Sequence, residues 1–188
     1  MKPDALDRIA ERWRGVFSAY HNESGFERAT LLLERGARRG MMLTLWKNEQ
    51  EAQAHAEQGL IVNSLSQMSE MLAELPSVSG WNVAVDAYQG GGSYARVTRA
   101  AVRGLELLEA GDIWRKALPA YETVSGFRGG YLLLATHSGE GMVITFWDHE
   151  KDAQAQSRSG MRTSILSRFD EVMAGPPEVE GFELAAHV

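Results

Sequence analysis

The stretch Ser125 to Trp147, SGFRGGYLLLATHSGEGMVITFW, has a counterpart 101 residues earlier, Ser24 to Trp46, which reads SGFERATLLLERGARRGMMLTLW. In both stretches a Ser-Gly-Phe turn leads into a Leu triplet, a polar turn that contains glycine, and a second apolar run that ends in Trp. Short apolar runs bounded by turn residues are typical of paired strands. Each stretch therefore predicts a β-hairpin.

The similarity extends beyond the hairpin to most of the chain. A shift of 101 residues aligns Leu6–Ala87 with Leu107–Val188 without a gap, and 28 of the 82 aligned pairs are identical. Two units of this length are too few and too long for a solenoid. The sequence therefore predicts two copies of one small domain, residues 1–88 and residues 94–188, joined by a glycine-rich linker at residues 89–93.

Each copy carries a helix before the hairpin and a second helix after it. In the first copy, apolar residues recur at helical spacing over residues 4–21. Asn48 and Glu51 have the spacing of a capping box, so a second helix is expected to begin there. We expect it to bend or split at Gly59, and at Gly160 in the second copy, and to continue to about Leu75. An alternating strand then closes the unit.

Only the second copy has a strand ahead of its first helix. Residues 94–102 alternate in polarity, which gives this copy the order β-α-β-β-α-β. In a split β-α-β sheet that first strand lies in the middle, so its absence from the first copy leaves backbone groups without partners. A strand of this chain or of a second chain, direct closure of the flanking strands, or an upstream segment could fill the place. The sequence favours none of them.

Composition excludes several classes of function. The net charge of -6 and the pI near 5.4 disfavour nucleic acid and anionic membranes as partners. The absence of cysteine excludes disulfides, thiolate metal sites and cysteine nucleophiles. No run of residues is apolar enough to span a membrane, and the charged N-terminus does not resemble a signal peptide. We therefore expect a cytoplasmic protein.

Both copies resemble the antibiotic biosynthesis monooxygenase domain, a family of the dimeric α+β barrel group. The resemblance rests on the Gly-Phe turn, the Leu-rich strand, the strand ending in Thr-x-Trp and the Ala-rich helix after it, in Gly25–Trp46 and Gly126–Trp147. It implies an α+β fold of two ferredoxin-like repeats that form an intrachain dimeric α+β barrel, the first repeat lacking its opening strand. The chain would then be a pseudo-dimer, and a further homodimer stays open.

Two activities of that family have residue patterns from which this sequence departs. Haem-degrading members would carry a Trp in the second helix and a His about ten residues later, but these slots hold His55 and Leu65 in the first copy and Gln156 and Leu166 in the second. Polyketide oxygenases would carry an Asn four residues before the strand Trp, and both copies have an apolar residue there.

Candidate site residues lie on the second strand of each hairpin. Thr and Trp alternate with purely apolar residues, and the apolar set suits the side covered by helices. We therefore expect the Thr and Trp side chains to face the barrel interior or its cavity, where an indole could line an aromatic ligand. Packing in the core is the alternative role. The residues concerned are Thr44, Trp46, Thr145 and Trp147.

Three further residues are assigned to the cavity lining. Tyr20 and Tyr121 end the apolar stripe of the first helix in each copy, where a hydroxyl could point into a cavity or reach water. Arg96 and Arg99 lie on opposite faces of the strand 94–102, so at least one should face inward unless this is an edge strand. Arg96 is assigned to the cavity lining, and an inward Arg would need an acidic partner or an anionic ligand. The five histidines share no repeated spacing, so no metal site is predicted.

The resemblance implies a monooxygenase-like protein that binds a small aromatic or quinone-like molecule, with no cofactor of its own. Catalytic residues are unassigned because no convincing base recurs in both copies. The alternative is a non-catalytic barrel that binds a ligand or a protein. In an enzyme, a polar group with a shifted pKa should lie beside Trp46 or Trp147. We expect any cavity to be better formed in the second copy.

Overall fold

A computed structural model of the chain describes residues 3–34, 36–58, 66, 72, 76–103, 107–135 and 138–188. The chain divides into two compact units. Unit 1 comprises Met1–Val78 together with Glu183–Val188, and unit 2 comprises Ser79–Phe182.

Unit 1 places a helix against a hairpin. Its elements are α1 (Pro3–Tyr20), β1 (Phe26–Glu34), β2 (Arg39–Trp46) and α2 (Glu49–Glu57). The apolar stripe of α1, including Trp13 and Phe17, packs in one cluster with the apolar residues of β1. The Asn48 side chain accepts a hydrogen bond from the Glu51 backbone N–H at 3.0 Å, which confirms the predicted helix start. The predicted continuation of this helix to about Leu75 lies largely outside the described residues.

Unit 2 contains a fuller version of the same pattern. Its elements are β3 (Asn82–Asp86), β4 (Tyr94–Ala101), α3 (Leu107–Glu122), β5 (Phe127–Ala135), β6 (Glu140–Trp147), α4 (Glu150–Arg158), α5 (Met161–Leu166), a 3-10 turn (Ser167–Phe169) and the first half of β7 (Glu178–His187). β6 pairs antiparallel with both β4 and β5, and β3 pairs antiparallel with β5. The second helix is split at Gly160, whose φ of 76° ends α4 and begins α5.

Each closing strand pairs with the hairpin of the other repeat. β3, which closes the first repeat, pairs with β5 of the second, for example Asn82 with Leu134. The end of β7, which closes the second repeat, pairs with β1, for example Thr30 with His187. The compact units therefore do not coincide with the sequence repeats. The α+β class and the ferredoxin-like repeats are confirmed.

The described residues include no opening strand for the first repeat. In unit 2 the second hairpin strand, β6, has a neighbour on each side, β4 and β5. Its equivalent in unit 1, β2, pairs with β1 alone among the described strands. The helices described are not long and apolar enough to cross a membrane.

Candidate functional site

Unit 2 encloses a cavity between its sheet and its helices. The cavity measures about 60 Å³. The sheet contributes side chains of β4, β5 and β6, and the helical side contributes α3, α5 and the residues after α5. Its lining is largely aliphatic and aromatic and includes Arg96, Thr145, Trp114, Tyr121, Leu166 and Met173.

Arg96 brings a charge to this apolar lining. Its side chain is 8% exposed. One guanidinium nitrogen, Nη1, donates to Gln156 Oε1 at 2.8 Å, and the other, Nη2, donates to the Ala153 carbonyl in α4. Its guanidinium carbon also lies 5.8 Å from the centroid of the Trp147 ring. Both acceptors are uncharged, so neither of these two contacts neutralises the guanidinium.

Two buried donors in or beside the cavity lining have no hydrogen-bond partner. They are Trp114 Nε1, in the cavity lining, and Gln156 Nε2, beside the guanidinium. An unpaired buried donor costs roughly 1–3 kcal/mol, which a ligand oxygen can recover. The site is therefore rich in donors and suits an acceptor or an anion.

Thr145 and Trp147 lie on the face of β6 that the helices cover. Thr145 lines the cavity and receives a hydrogen bond from Trp147 Nε1 at 3.0 Å. Trp147 is fully buried, and its ring centroid lies 6.2 Å from that of Tyr121 in α3. The purely apolar set lies on the other face, where Phe146 packs on Tyr88 with ring centroids 4.2 Å apart. The prediction that the apolar set faces the helices was wrong for this strand.

The equivalent residues of unit 1 form an aromatic cluster. Trp46 Nε1 donates to Thr44 Oγ1 at 3.0 Å, repeating the bond between Trp147 and Thr145. The Trp46 ring centroid lies 6.3 Å from that of Tyr20 and 4.4 Å from that of His55. His55 aligns with Gln156 in the repeat. The two clusters thus share a Thr-Trp-Tyr frame and differ in the side chain from the second helix.

His55 and Tyr20 are buried polar groups without hydrogen bonds. His55 is 2% exposed, and neither ring nitrogen has a hydrogen-bond partner, nor does the Tyr20 hydroxyl. Glu23 Oε2 lies 3.9 Å from His55 Nδ1, which is too long for a hydrogen bond. Burial lowers the pKa of His55, and Glu23 opposes the shift. Burial, with help from Glu23, raises the pKa of Tyr20 to about 12.

Arg99 lies on the opposite face of β4 from the cavity, as the sequence predicted, and forms an ion pair with Glu180. Among the described residues, no group of three His, Asp or Glu side chains could hold a metal ion. The side chain of His187 lies within hydrogen-bonding distance of Thr30, with 3.0 Å between His187 Nδ1 and Thr30 Oγ1.

Sequence reasoning missed three residues of these two clusters: Trp114, Gln156 and His55. The available signal was their position in the repeat. Gln156 and His55 both stand nine residues after the strand Trp. A residue at that place on the second helix can reach back over the strand in both copies.

Comparisons with known proteins agree with this fold. Residues 1–60 match the family model of the antibiotic biosynthesis monooxygenases, which confirms the predicted resemblance. No curated protein matches the chain.

Three solved structures share the fold at low sequence identity. A candidate monooxygenase from Lactobacillus acidophilus superposes with a TM-score of 0.77 at 7% identity, over 100% of this chain and 91% of that chain. An anthrone oxidase-like protein gives 0.68 at 16% identity, over 100% and 88%. A ferredoxin-fold protein from Listeria monocytogenes, related to the antibiotic biosynthesis monooxygenases, gives 0.56 at 10%, over 86% and 96%. Identities this low establish the fold alone.

Proposed function

We propose that this antibiotic biosynthesis monooxygenase-like chain binds a small aromatic or quinone-like molecule in the cavity of unit 2. The observation that carries the proposal is the composition of the lining. Aromatic and aliphatic side chains suit a flat apolar ligand, and Trp114 and Tyr121 offer ring faces against which it can pack. Arg96 supplies a single positive charge to which the ligand can be oriented.

The ligand presents an oxygen to Arg96. A guanidinium in a largely apolar site favours a phenolate or enolate over the neutral hydroxyl, because opposite charges attract more strongly when water is excluded. Trp114 Nε1, which has no protein partner, can donate a further hydrogen bond to such an oxygen. This arrangement selects hydroxyaromatics and quinones over plain hydrocarbons.

Access to the cavity passes Leu166 and Met173. Both residues also line a second, more open cavity of about 430 Å³ that extends to Arg103 and Pro177. The inner cavity is smaller than the roughly 150 Å³ that holds a benzene ring in a protein core. A ring-sized ligand therefore requires movement of these two side chains, which separate the inner space from the outer one. Methionine is well suited to such movement because its side chain is long and unbranched.

The chemistry proposed for the bound molecule is oxygenation by O2. A ligand held as its enolate or phenolate is electron-rich at the neighbouring carbon and can react with oxygen without a metal or a flavin. An activated CH2 group becomes C=O, one atom of O2 enters the product and the other leaves as water, so the ligand supplies all the electrons. The chain contributes orientation, a water-poor cavity and stabilisation of the anion by Arg96.

A specific observation favours a second candidate, binding without catalysis. The described residues that line the cavity include no Asp, Glu or His. Proton abstraction by the protein would need such a group within hydrogen-bond reach of the ligand. The oxygenase therefore requires a ligand acidic enough to ionise beside Arg96, and a ligand that does not ionise would simply be bound.

The test compares two arginines of the same strand. We expect 1-naphthol to quench tryptophan fluorescence saturably in the wild-type chain. Arg96→Gln should weaken this binding by about tenfold or more, since a hydrogen bond to a charged group contributes roughly 1.5–3 kcal/mol. Arg99→Gln, on the opposite face, should leave the affinity within about twofold. Arg96→Lys keeps the charge and reports on binding if Arg96→Gln does not fold.

Equal binding by wild type, Arg96→Gln and Arg96→Lys would overturn the proposed site. Oxygen uptake with anthrone as the probe separates the two candidate functions. Uptake above the protein-free rate that falls in Arg96→Gln supports the oxygenase. Binding of 1-naphthol with no uptake of oxygen supports the non-catalytic protein.

A further inference from the structure

The edge of β2 in unit 1 corresponds to a paired edge in unit 2. In unit 2, β4 runs antiparallel to β6 from Tyr94 opposite Trp147 to Ala101 opposite Glu140. β2 is the equivalent of β6, and among the described strands it pairs with β1 alone. Residues of β6 from Thr145 to Trp147 are buried, whereas Thr44 and Trp46 are only partly buried. A strand laid along β2 would complete the unit as β4 completes unit 2.

The cluster behind this edge lacks the contact that β4 supplies in unit 2. There, Arg96 stands opposite Thr145, crosses the sheet face and binds Gln156 and the Ala153 carbonyl. The residues at the equivalent positions of unit 1 are Thr44, His55 and Ala52. His55 is buried with both ring nitrogens unpartnered. Among the described residues, none of the first repeat corresponds to Arg96.

The residue just before the Ser-Gly-Phe turn is charged in the first repeat and apolar in the second. Glu23, 3.9 Å from His55, occupies the place that Val124 holds in the second repeat. Its side chain is 26% exposed. A basic residue on an incoming strand, placed opposite Thr44, would meet the Glu23 carboxylate and an unpartnered imidazole acceptor. The cluster is thus complementary to Arg or Lys.

We propose that the edge of β2 is a docking site for an extended segment of a protein partner that carries an Arg or Lys opposite Thr44. The segment runs antiparallel to β2 and alternates as β4 does, with small apolar residues on the face away from α2. Backbone hydrogen bonds along the edge supply affinity, and the basic side chain at the Glu23–His55 pair supplies specificity. The arrangement is β-strand addition at the edge of a sheet.

The template strand itself provides the probe. A fluorescently labelled peptide with the sequence of residues 94–102, YARVTRAAV, should bind the full-length chain saturably. It should also slow hydrogen exchange of the amides in residues 39–46. A matched peptide with Arg96→Glu should bind at least about tenfold more weakly, because it brings a carboxylate to Glu23.

Protein variants test the role of the carboxylate. Glu23→Gln should weaken binding of the arginine peptide by about threefold or more, as expected for a partly buried charge pair. Glu11→Gln, an exposed change on α1, should leave the affinity unchanged. Both variants keep the β2 edge intact, so a difference between them reports on the charge at Glu23.

Three results would overturn the proposal. The first is no saturable binding of the arginine peptide at concentrations on the order of 1 mM. The second is binding that leaves the amides of residues 39–46 unprotected or that does not distinguish the two peptides. The third is protection of these amides without peptide together with a dimer in analytical ultracentrifugation, which would show that a second copy of the chain occupies the edge.

Discussion

Trp147 and Trp46 occupy equivalent places in the two repeats, and each donates its indole N–H to the Thr two residues before it. Their surroundings differ. Trp147 is fully buried beside the guanidinium of Arg96, whereas Trp46 is partly exposed beside His55. The difference follows from one element, since β4 supplies Arg96 in unit 2 and unit 1 has no described counterpart of that strand.

The comparison shows how a duplicated domain can acquire two kinds of site. In unit 2 the buried polar group is a cation that faces a cavity with no described acid or imidazole in its lining. In unit 1 it is a neutral pair, Tyr20 and His55, whose pKa values burial shifts in opposite directions. The groups with shifted pKa values thus lie beside Trp46, while the described cavity lies beside Thr145 and Tyr121.

The largest expected difference concerns stability. Trp147→Ala should reduce the free energy of unfolding by about 3–5 kcal/mol, because it removes a fully buried ring and leaves a cavity. Trp46→Ala removes a partly exposed ring and should cost about 1–2 kcal/mol. Urea denaturation followed by circular dichroism measures both values. Equal losses would show that pairing of β6 with β4 does not change the packing of this position.

The pH dependence of stability should separate the two clusters. The pKa of His55 in the folded chain lies below its ordinary value of 6.5 because the ring is buried. As the pH falls through 6.5, the unfolded chain takes up this proton before the folded chain does, so stability decreases. His55→Gln installs the residue of the second repeat and should lose less stability than wild type between about pH 7.5 and pH 5.

The control for this measurement is His149→Gln, at an exposed position just before α4. This variant removes an exposed imidazole and leaves the His55 ring in place, so the pH dependence that comes from His55 should remain. His187, whose pKa burial also lowers, is present in all three proteins and contributes equally. Identical profiles for His55→Gln and wild type would mean that His55 is not held neutral in the folded chain.

The smallest expected effects come from tyrosine hydroxyls. The Tyr20 hydroxyl is buried without a partner, so Tyr20→Phe should leave stability unchanged or raise it by up to about 1 kcal/mol. Tyr88→Phe removes a hydrogen bond of 2.9 Å to the Gly91 carbonyl and should cost about 1 kcal/mol. Thermal unfolding of the two variants gives the comparison. A loss in Tyr20→Phe as large as that in Tyr88→Phe would indicate that the Tyr20 hydroxyl is bonded in solution.

The repeat made the fold accessible to sequence analysis. The stretch from Ser-Gly-Phe to Trp occurs twice and forms a hairpin both times, so the hairpin predicted in one repeat supports the one predicted in the other. For the same reason the sequence showed that the strand at residues 94–102 has no counterpart among residues 1–88. The exchange of closing strands between repeats was not, because strand pairing depends on contacts far apart in the chain.

The site was less predictable because β6 is buried on both faces. On one face Ile144 and Phe146 are fully buried. On the other face Trp147 is fully buried and Thr145 is 3% exposed. When both faces are covered, alternation no longer tells which one meets the helices. The partners of Arg96 could not be predicted either. They are a side-chain amide and a main-chain carbonyl, neither of which carries a charge that would mark it in the sequence as a partner for arginine. His55 is buried by rings that only the fold brings together.

The stoichiometry of ligand binding tests the central claim, that the two repeats carry different sites and that unit 2 holds the ligand. Isothermal titration calorimetry of the full-length chain with 1-naphthol would measure it. We expect one molecule bound per chain, with affinity weakened by about tenfold or more in Arg96→Gln and unchanged in His55→Gln. Two equivalent sites per chain, or one site that survives Arg96→Gln and disappears in His55→Gln, would contradict it.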